Sequence, residues 1–178
     1  RPPAPTRIKS MMHIVLQDRL SPLASRLAAL ALTGLLGLMA APALALQGMP
    51  TAPQKLPTTQ LGIGMHVIKA EVAQTPREHA IGLMWRTEMG ANDGMLFIFP
   101  QATKQCFWMK NTLIPLSIAF VDDDGKIVNI DEMQPQTEDA HCSAKPVRYV
   151  LEMNKGWFAK RHIQAGQKLS GAPFSGPR

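Results

Sequence analysis

The segment Cys106–Thr112, with the sequence CFWMKNT, brings together side chains that could recognise a small molecule. Trp108 could stack on a sugar or a heterocycle, while Lys110 and Asn111 could hydrogen-bond to its polar groups. Lysine and asparagine are uncommon in a buried core strand, and two neighbouring aromatic side chains are uncommon in an exposed surface strand. The residue types therefore predict the wall of a binding site.

The segment is expected to be a strand, and alternation along a strand divides its side chains between two faces. Phe107 and Met109 share one face, which suits a hydrophobic core. Trp108 and Lys110 share the other face, which suits a cleft. The prediction is therefore that the cleft lies on the Trp108 side of the strand.

Three interpretations of these residues stay open. In the first, they line a binding cleft. In the second, a hydrolase uses Glu152 or Asp93 with Lys110 for acid–base chemistry on a carbohydrate or another envelope polymer. In the third, Lys110 pairs with Glu152 or Asp93 and Asn111 satisfies backbone groups of a loop, so that the residues are structural. The candidate ligand-binding residues are Trp108, Lys110, Asn111, Arg86, Glu152 and Asp93; no catalytic residue is assigned.

Known catalytic signatures are missing from the sequence. It contains no G-x-S-x-G, H-E-x-x-H, P-loop or dinucleotide-binding glycine pattern. The histidines lack ligand spacing, and the methionines of the region after residue 45 are spread along the chain, which favours core packing over a copper site. The sequence thus predicts neither a metal nor a cofactor, and it favours a non-enzymatic protein.

Residues 1–45 have the three parts of a secretory signal peptide. Basic residues precede the apolar stretch Leu27–Ala40, and small residues follow it up to Ala45. The signal peptide is expected to span about residues 11–45, with cleavage after Ala45, which places the mature protein in the periplasm or outside the cell. Retention of this segment as an anchor is the alternative, but the apolar run is short for a span of about 20 residues. No membrane contact is expected after cleavage.

The two cysteines lie in the exported region, and this favours a disulfide between Cys106 and Cys142. Closing such a loop would stabilise the fold by roughly 3–4 kcal/mol in the chain-entropy model. Two unpaired buried thiols, and a functional thiol or metal-binding thiolate with His141, are the alternatives.

The positive charge of the chain is concentrated in the leader. The whole chain carries a formal net charge of +6, of which residues 46–178, with 14 basic and 12 acidic residues, contribute only +2. This region has no basic run of the kind that binds phosphate backbones. No nucleic-acid partner is expected, and the oligomeric state is left open.

The elements that must position these residues are short. A flexible linker is expected at 46–64, a single globular domain at 65–170 and a frayed tail at 171–178. Thr75-Pro76 with Glu78 predicts a capped helix that continues to about Arg86. The turn sequence Asp122–Gly125 between two apolar runs predicts a β-hairpin with an Asp-Gly turn. The overall pattern predicts an α+β fold that is mainly β, with a small antiparallel, barrel-like sheet of six or seven short strands and two short helices.

Five blocks of the sequence form a recognisable set: Thr75–Arg86, Gly94–Phe97, Phe107–Leu116, Asp124-Gly125 and Leu151–Gly156. Together they resemble the family called domain of unknown function 192 (DUF192), over about residues 65–170. The resemblance implies a small, mainly β domain, frequently exported by bacteria, with no established activity. The chain departs from the family pattern at His79 and Ile81, where arginines are common, and at Ser117, where aspartate is common. A carboxylate at position 117 is therefore not an indispensable acid or base.

The functional prediction is an exported module that binds a small polar ligand or an envelope component in a cleft beside the FWMKNT strand. The hydrolase that uses Glu152 or Asp93 with Lys110 is one alternative. A structural or interaction domain without a small ligand is the other.

Overall fold

This computed structural model describes residues 51–174. This range contains eight strands, one α-helix and one short 3-10 helix, joined by loops and turns. The predicted signal peptide and the last four residues lie outside the described range. In chain order the elements are β1 (Thr58–Ile63), β2 (His66–Ala73), α1 (Pro76–Ile81), β3 (Asp93–Thr103), β4 (Cys106–Phe107), β5 (Leu116–Val121), β6 (Ile127–Met133), β7 (His141–Cys142), β8 (Val147–Asn154) and the 3-10 helix (Ala159–Arg161).

Six strands form one mixed sheet in the order β1-β2-β3-β8-β5-β6, and β4 pairs with β7 in a separate ribbon. The prediction of a mainly β fold with short helices is confirmed. The expected barrel-like closure is wrong, because β1 and β6 lie at opposite ends of this sheet. The expectation of purely antiparallel pairing is also wrong for one pair: β2 and β3 run parallel, since α1 and the loop after it carry the chain back across the sheet.

Strand β1 lies in a segment that was predicted to be a flexible linker. Its polar side chains gave no clear alternation, but Leu61 and Ile63 are buried in the core. The strand pairs with β2 through a tight turn at Gly64, whose φ of 56° suits glycine. Order in the domain therefore begins before residue 65.

Both faces of the sheet are covered, and this explains why every residue of β5 is buried. Trp157, Phe158, Ile163 and Leu169, from the chain after β8, pack against one face. On the other face, Leu83, Met109 and Ile114 pack with strand residues to form a second cluster. The side chains of β8 alternate between these clusters; the cluster containing Leu83 is the one that matters for the site.

Helix α1 begins as predicted and ends earlier than predicted. Thr75 accepts a hydrogen bond from the Glu78 backbone N–H, and the Glu78 carboxylate accepts from the Thr75 N–H, which completes a capping box. The helix ends at Ile81 instead of near Arg86, because Gly82 (φ 48°) and Trp85 (φ 66°) leave the helical region.

The Asp-Gly hairpin between β5 and β6 is confirmed. Gly125 adopts a φ of 77°, and an Asp122 carboxylate oxygen accepts hydrogen bonds from the backbone N–H groups of Asp124 and Lys126. Asp122 therefore has a structural function within the turn.

Candidate functional site

A cavity of about 300 Å³ lies between the end of α1, strand β3, strand β4 and strand β8. Aromatic and aliphatic side chains form most of its wall, with few polar groups among them, as in many small-molecule sites. The residues that line it are His79, Ala80, Ile81, Gly82, Leu83, Met84, Phe97, Phe99, Gln105, Cys106, Phe107, Trp108, Thr112 and Glu152.

The aromatic part of this wall follows from strand alternation. Phe97 and Phe99 are two positions apart on β3, so their side chains leave the strand on the same face. Phe107, from β4, meets Phe97 edge-to-face with ring centroids 4.9 Å apart. Gly82 allows the chain after α1 to approach these rings, since an added Cβ would lie 3.3 Å from Phe97 Cζ.

Glu152 is the acidic group in the wall of the cavity. Its residue is only 4% exposed, and it lies opposite Met95 on β3 and Ile118 on β5. Within the described residues no hydrogen bond or ion pair reaches its carboxyl group; burial raises the pKa of Glu152 to about 8. With this pKa the carboxyl group is mostly protonated at pH 7, and a ligand could supply the partner that the described residues do not.

Trp108 stands at the same cavity and is 49% exposed. Met109 is buried, Phe107 is partly buried and Trp108 is turned outward, which follows the predicted alternation, although the regular strand ends at Phe107. The cavity thus brings together two of the predicted ligand-binding residues, one in its depth and one at its solvent side.

Lys110 lies beside the site and does not line it. Its Nζ is 5.2 Å from the Trp108 ring centroid and 3.4 Å from Glu138 Oε1. The alternative in which Lys110 pairs with Glu152 or Asp93 is therefore wrong. Lys110 instead contributes a cation next to the outer tryptophan.

Asn111 has mainly a structural role at the turn that follows Trp108. Its φ of 56° is one that asparagine tolerates better than most residues, and its carbonyl oxygen accepts a hydrogen bond from the Trp85 N–H at 2.9 Å. Its side-chain amide lies 3.9 Å from the sulfur of Met84, a residue of the cavity wall. Asn111 therefore does not line the cavity, but it contacts Met84, which does.

Arg86 and Asp93 lie away from the cavity. Arg86 forms an ion pair with Glu71 at 2.7 Å and donates to the carbonyl of Gln54, in a separate depression near the start of the domain. Asp93 begins β3, and its N–H donates to the Gly90 carbonyl. The six predicted residues therefore do not form one cleft.

Ser117, the position where the family commonly has aspartate, also lies outside the cavity wall. Its hydroxyl donates to Glu132 Oε1 at 2.6 Å and accepts a hydrogen bond from the Gly156 N–H at 2.7 Å. Ser117 is fully buried, so these bonds satisfy a polar group that would otherwise be costly. The position holds the turn after β8.

The structure adds His79 to the site, a residue that the sequence indicated only as a departure from the family pattern. Its Nε2 lies 3.1 Å from the Ala73 carbonyl oxygen, to which it donates, and its ring is 4.4 Å from that of Phe99. Phe97 and Phe99 were also missed, although their alternation in the sequence GMLFIF was a usable signal. The pairing of β3 with β8, which places Met95 opposite Glu152, could not be predicted from the sequence.

Cys106 and Cys142 form the predicted disulfide, facing each other across β4 and β7 with Cα atoms 4.1 Å apart. A disulfide indicates an oxidising environment and removes Cys106 as a thiol nucleophile or metal ligand. Next to it, His141 Nδ1 lies 2.6 Å from Asp131 Oδ2. The bridge attaches the loop after β6 to a strand that borders the cavity.

Among residues 51–174, no helix has the length and apolar character needed to cross a membrane.

Comparison with known proteins supports the resemblance seen in the sequence. A protein from Sinorhizobium meliloti 1021, described as a candidate transcription regulator, is 32% identical with a TM-score of 0.65, and the match covers 68% of this chain and 98% of that one. A protein of unknown function from Novosphingobium aromaticivorans DSM 12444 is 36% identical with a TM-score of 0.60, and the match covers 68% and 94%.

No protein of curated function matches the chain. The family model described as DUF192, "Uncharacterized ACR", matches residues 58–171, which include β1 and every residue that lines the cavity. The chain belongs to the DUF192 family.

Proposed function

We propose that this protein is an exported binding module that holds a small ligand in the Glu152 cavity. One observation carries the proposal: a carboxyl group that is almost completely buried, without a partner in the described residues, stands in the wall of a cavity that a small molecule could fill. Native proteins rarely bury such a group without satisfying it, and the exceptions concentrate at functional sites.

The lining favours a ligand with an apolar body and one polar end. Phe97, Phe99 and Phe107 provide apolar and aromatic surface, and Glu152 provides the single carboxyl group of the described wall. Trp108 at the solvent side would cover the bound molecule. This arrangement matches the usual division between apolar walls and a few orienting polar groups in ligand sites.

Binding is a better explanation of the site than the hydrolase alternative. That mechanism combined Glu152 or Asp93 with Lys110, yet Lys110 contacts Glu138 and Asp93 begins β3 away from the lining residues. Among the described residues the wall also holds no second carboxyl group, which a hydrolase that uses a pair of carboxyl groups would need.

Export to the periplasm or beyond is supported by the disulfide and by the signal-peptide pattern of residues 1–45. One solved relative is described as a candidate transcription regulator. The near-balanced charge of residues 46–178 gives this chain no electrostatic basis for binding nucleic acid. We therefore do not extend that description to it.

A ligand screen by thermal unfolding tests the proposal, using the protein with its disulfide intact. Wild type, Trp108→Ala and a matched control, Leu113→Ala, are compared, because Leu113 is exposed but does not line the cavity. A ligand at 100 times its Kd stabilises its binder by about 2.7 kcal/mol, a shift that such a screen detects easily. Native mass spectrometry of the purified protein would identify a ligand that remains bound.

We expect ligands to stabilise wild type and Leu113→Ala by the same amount and to lose most of this effect with Trp108→Ala. Equal stabilisation of all three proteins would overturn the placement of the ligand in this cavity. A screen without any binder, together with an empty protein in native mass spectrometry, would favour an interaction domain without a small ligand.

A further inference from the structure

The described wall of the cavity has an acidic side chain and no basic lysine or arginine, and this imbalance indicates the charge of the ligand. Among residues 51–174, Glu152 is the acidic group of the wall, and neither lysine nor arginine lines it. His79 is the other titratable group of the wall, and its Nε2 already donates to the Ala73 carbonyl. Cys106 is held in the disulfide and does not titrate.

The neighbours of Glu152 on the adjoining strands offer no compensating charge. Met95 of β3 and Ile118 of β5 lie directly opposite it, and Val150, two positions earlier on β8, shares its face of the sheet. A ligand that brings a positive charge would therefore meet a carboxylate with no competing cation. A ligand that brings a negative charge would meet an acidic group with no cation to balance it.

We infer that the ligand is an organic ammonium ion, whose charged head pairs with Glu152 while its apolar body lies against Phe97, Phe99 and Phe107. This inference rests on the proposed binding function and assigns a chemical class to the ligand. The aromatic wall supports it, since ring faces attract cations as well as apolar groups. A volume of about 300 Å³ is at the small end for ligand sites, which suits a single ring or a short chain attached to the ammonium.

Binding of such a cation should release one proton. With the cavity empty, the carboxyl group of Glu152 is protonated below about pH 8 because of its burial. When an ammonium ion binds, the carboxyl group gives its proton to solvent, and the resulting carboxylate pairs with the ligand, which keeps its own protons. The association constant should therefore rise about tenfold for each pH unit between pH 6 and 7.

Three probes of similar shape and different charge test the inference: benzylammonium, benzyl alcohol and benzoate. Titration calorimetry at pH 6 and pH 7, in buffers with different ionisation enthalpies, gives both the affinity and the number of protons released. The proteins are wild type, Glu152→Gln and Glu88→Gln; Glu88 is an exposed glutamate that does not line the cavity, so its variant controls for the same chemical change.

We expect benzylammonium to bind wild type and Glu88→Gln about 10- to 100-fold more tightly than benzyl alcohol, as for a hydrogen bond to a charged group. About one proton should be released, and Glu152→Gln should lose this preference. If benzyl alcohol or benzoate binds as tightly as benzylammonium, or if no proton is released, the ammonium inference is overturned while the binding function stands.

Absence of binding by all three probes, in a protein that responds to other molecules in the ligand screen, likewise overturns the ammonium inference alone. Absence of binders in both experiments overturns the proposed function as well. The comparison of probes on wild type does not depend on how the Glu152→Gln variant folds.

Discussion

Glu152 and Trp108 line the same cavity but differ in their exposure to solvent. Glu152 is 4% exposed in the deep wall, and Trp108 is 49% exposed at the solvent side. A change at Trp108 removes less buried surface than a change at a core residue, because about half of Trp108 is exposed, so it should act chiefly on binding. A change at Glu152 alters a buried ionisable group, so it should act on stability as well. Stability measurements on the empty protein can therefore test the state of Glu152 independently of any ligand.

Glu152→Gln should remove a pH dependence from the free energy of unfolding. In the unfolded chain a glutamate ionises near its ordinary pKa of 4.5, whereas in the fold the pKa of Glu152 is about 8. Between these values the folded state holds a proton that the unfolded state has lost, so wild type loses stability as the pH rises, by up to about 1.4 kcal/mol per unit. Urea unfolding between pH 5 and 9 measures the slope.

The glutamine side chain has nearly the same shape and does not ionise, so Glu152→Gln should gain stability relative to wild type from pH 5 to pH 8. Glu88→Gln, at an exposed glutamate, should keep the wild-type slope. Parallel curves for wild type and Glu152→Gln would mean that Glu152 ionises as easily in the fold as in the unfolded chain.

The bridge between Cys106 and Cys142 should stabilise the domain and hold the wall of the cavity. Replacing both cysteines by serine should lower the free energy of unfolding by roughly 3–4 kcal/mol, because the unfolded chain regains the entropy of an open loop. Urea unfolding of the double variant, beside wild type with and without a reductant, measures this. Reduced wild type should resemble the double variant, and thiol titration of denatured, unreduced protein should find no free thiol from these two residues.

Arg86 and Glu71 should act as a structural clamp without a part in binding. The carboxylate of Glu71 accepts the Leu56 N–H, and Arg86 donates to the Gln54 carbonyl, so the pair holds the start of the domain against β2. Arg86→Met leaves the mostly buried Glu71 without its counter-ion and should cost about 3 kcal/mol. The cost is read from urea unfolding.

The double variant Arg86→Met/Glu71→Gln is the matched control for this pair. It should be less destabilised than the sum of the two single variants, because no unpaired charge is left. Ligand affinity in the cavity should be unchanged in both proteins. A loss of affinity would contradict this purely structural role and would support the prediction from sequence that Arg86 binds the ligand.

The predictions from sequence succeeded where the signal was local. The capping box of α1, the Asp-Gly hairpin and the opposite orientations of Phe107 and Trp108 all depend on residues close together in the chain. The disulfide was predicted from compartment and cysteine number, which require no geometry.

The predictions failed where the answer depended on pairing between distant strands. Strand β1 has little alternation of its own and is defined by its ladder with β2. The separation of Arg86 from Glu152 depends on the ion pair that Arg86 forms with Glu71 of β2, in a depression away from the cavity. The charged residues can be identified from the sequence, but the order of strands in the sheet, which determines which of them lie close together, cannot.

The capping box of α1 should contribute to the cavity, because this helix and the turn after it supply the wall from His79 to Met84. Thr75→Ala removes one of the two reciprocal hydrogen bonds and should cost about 1 kcal/mol in urea unfolding. Thr87→Ala, at an exposed threonine after the helix, is the control and should change stability little.

The pH dependence of this cap follows from Glu78. Hydrogen bonds from the backbone N–H groups of Gln74 and Thr75 hold the pKa of Glu78 below its ordinary value. The stabilisation from the ionised carboxylate is therefore complete above that ordinary value and is lost as the pH falls through the lowered pKa. NMR titration of the Glu78 side chain should show the lowered pKa in wild type, and a titration at the ordinary value would contradict the cap as the origin of the helix start.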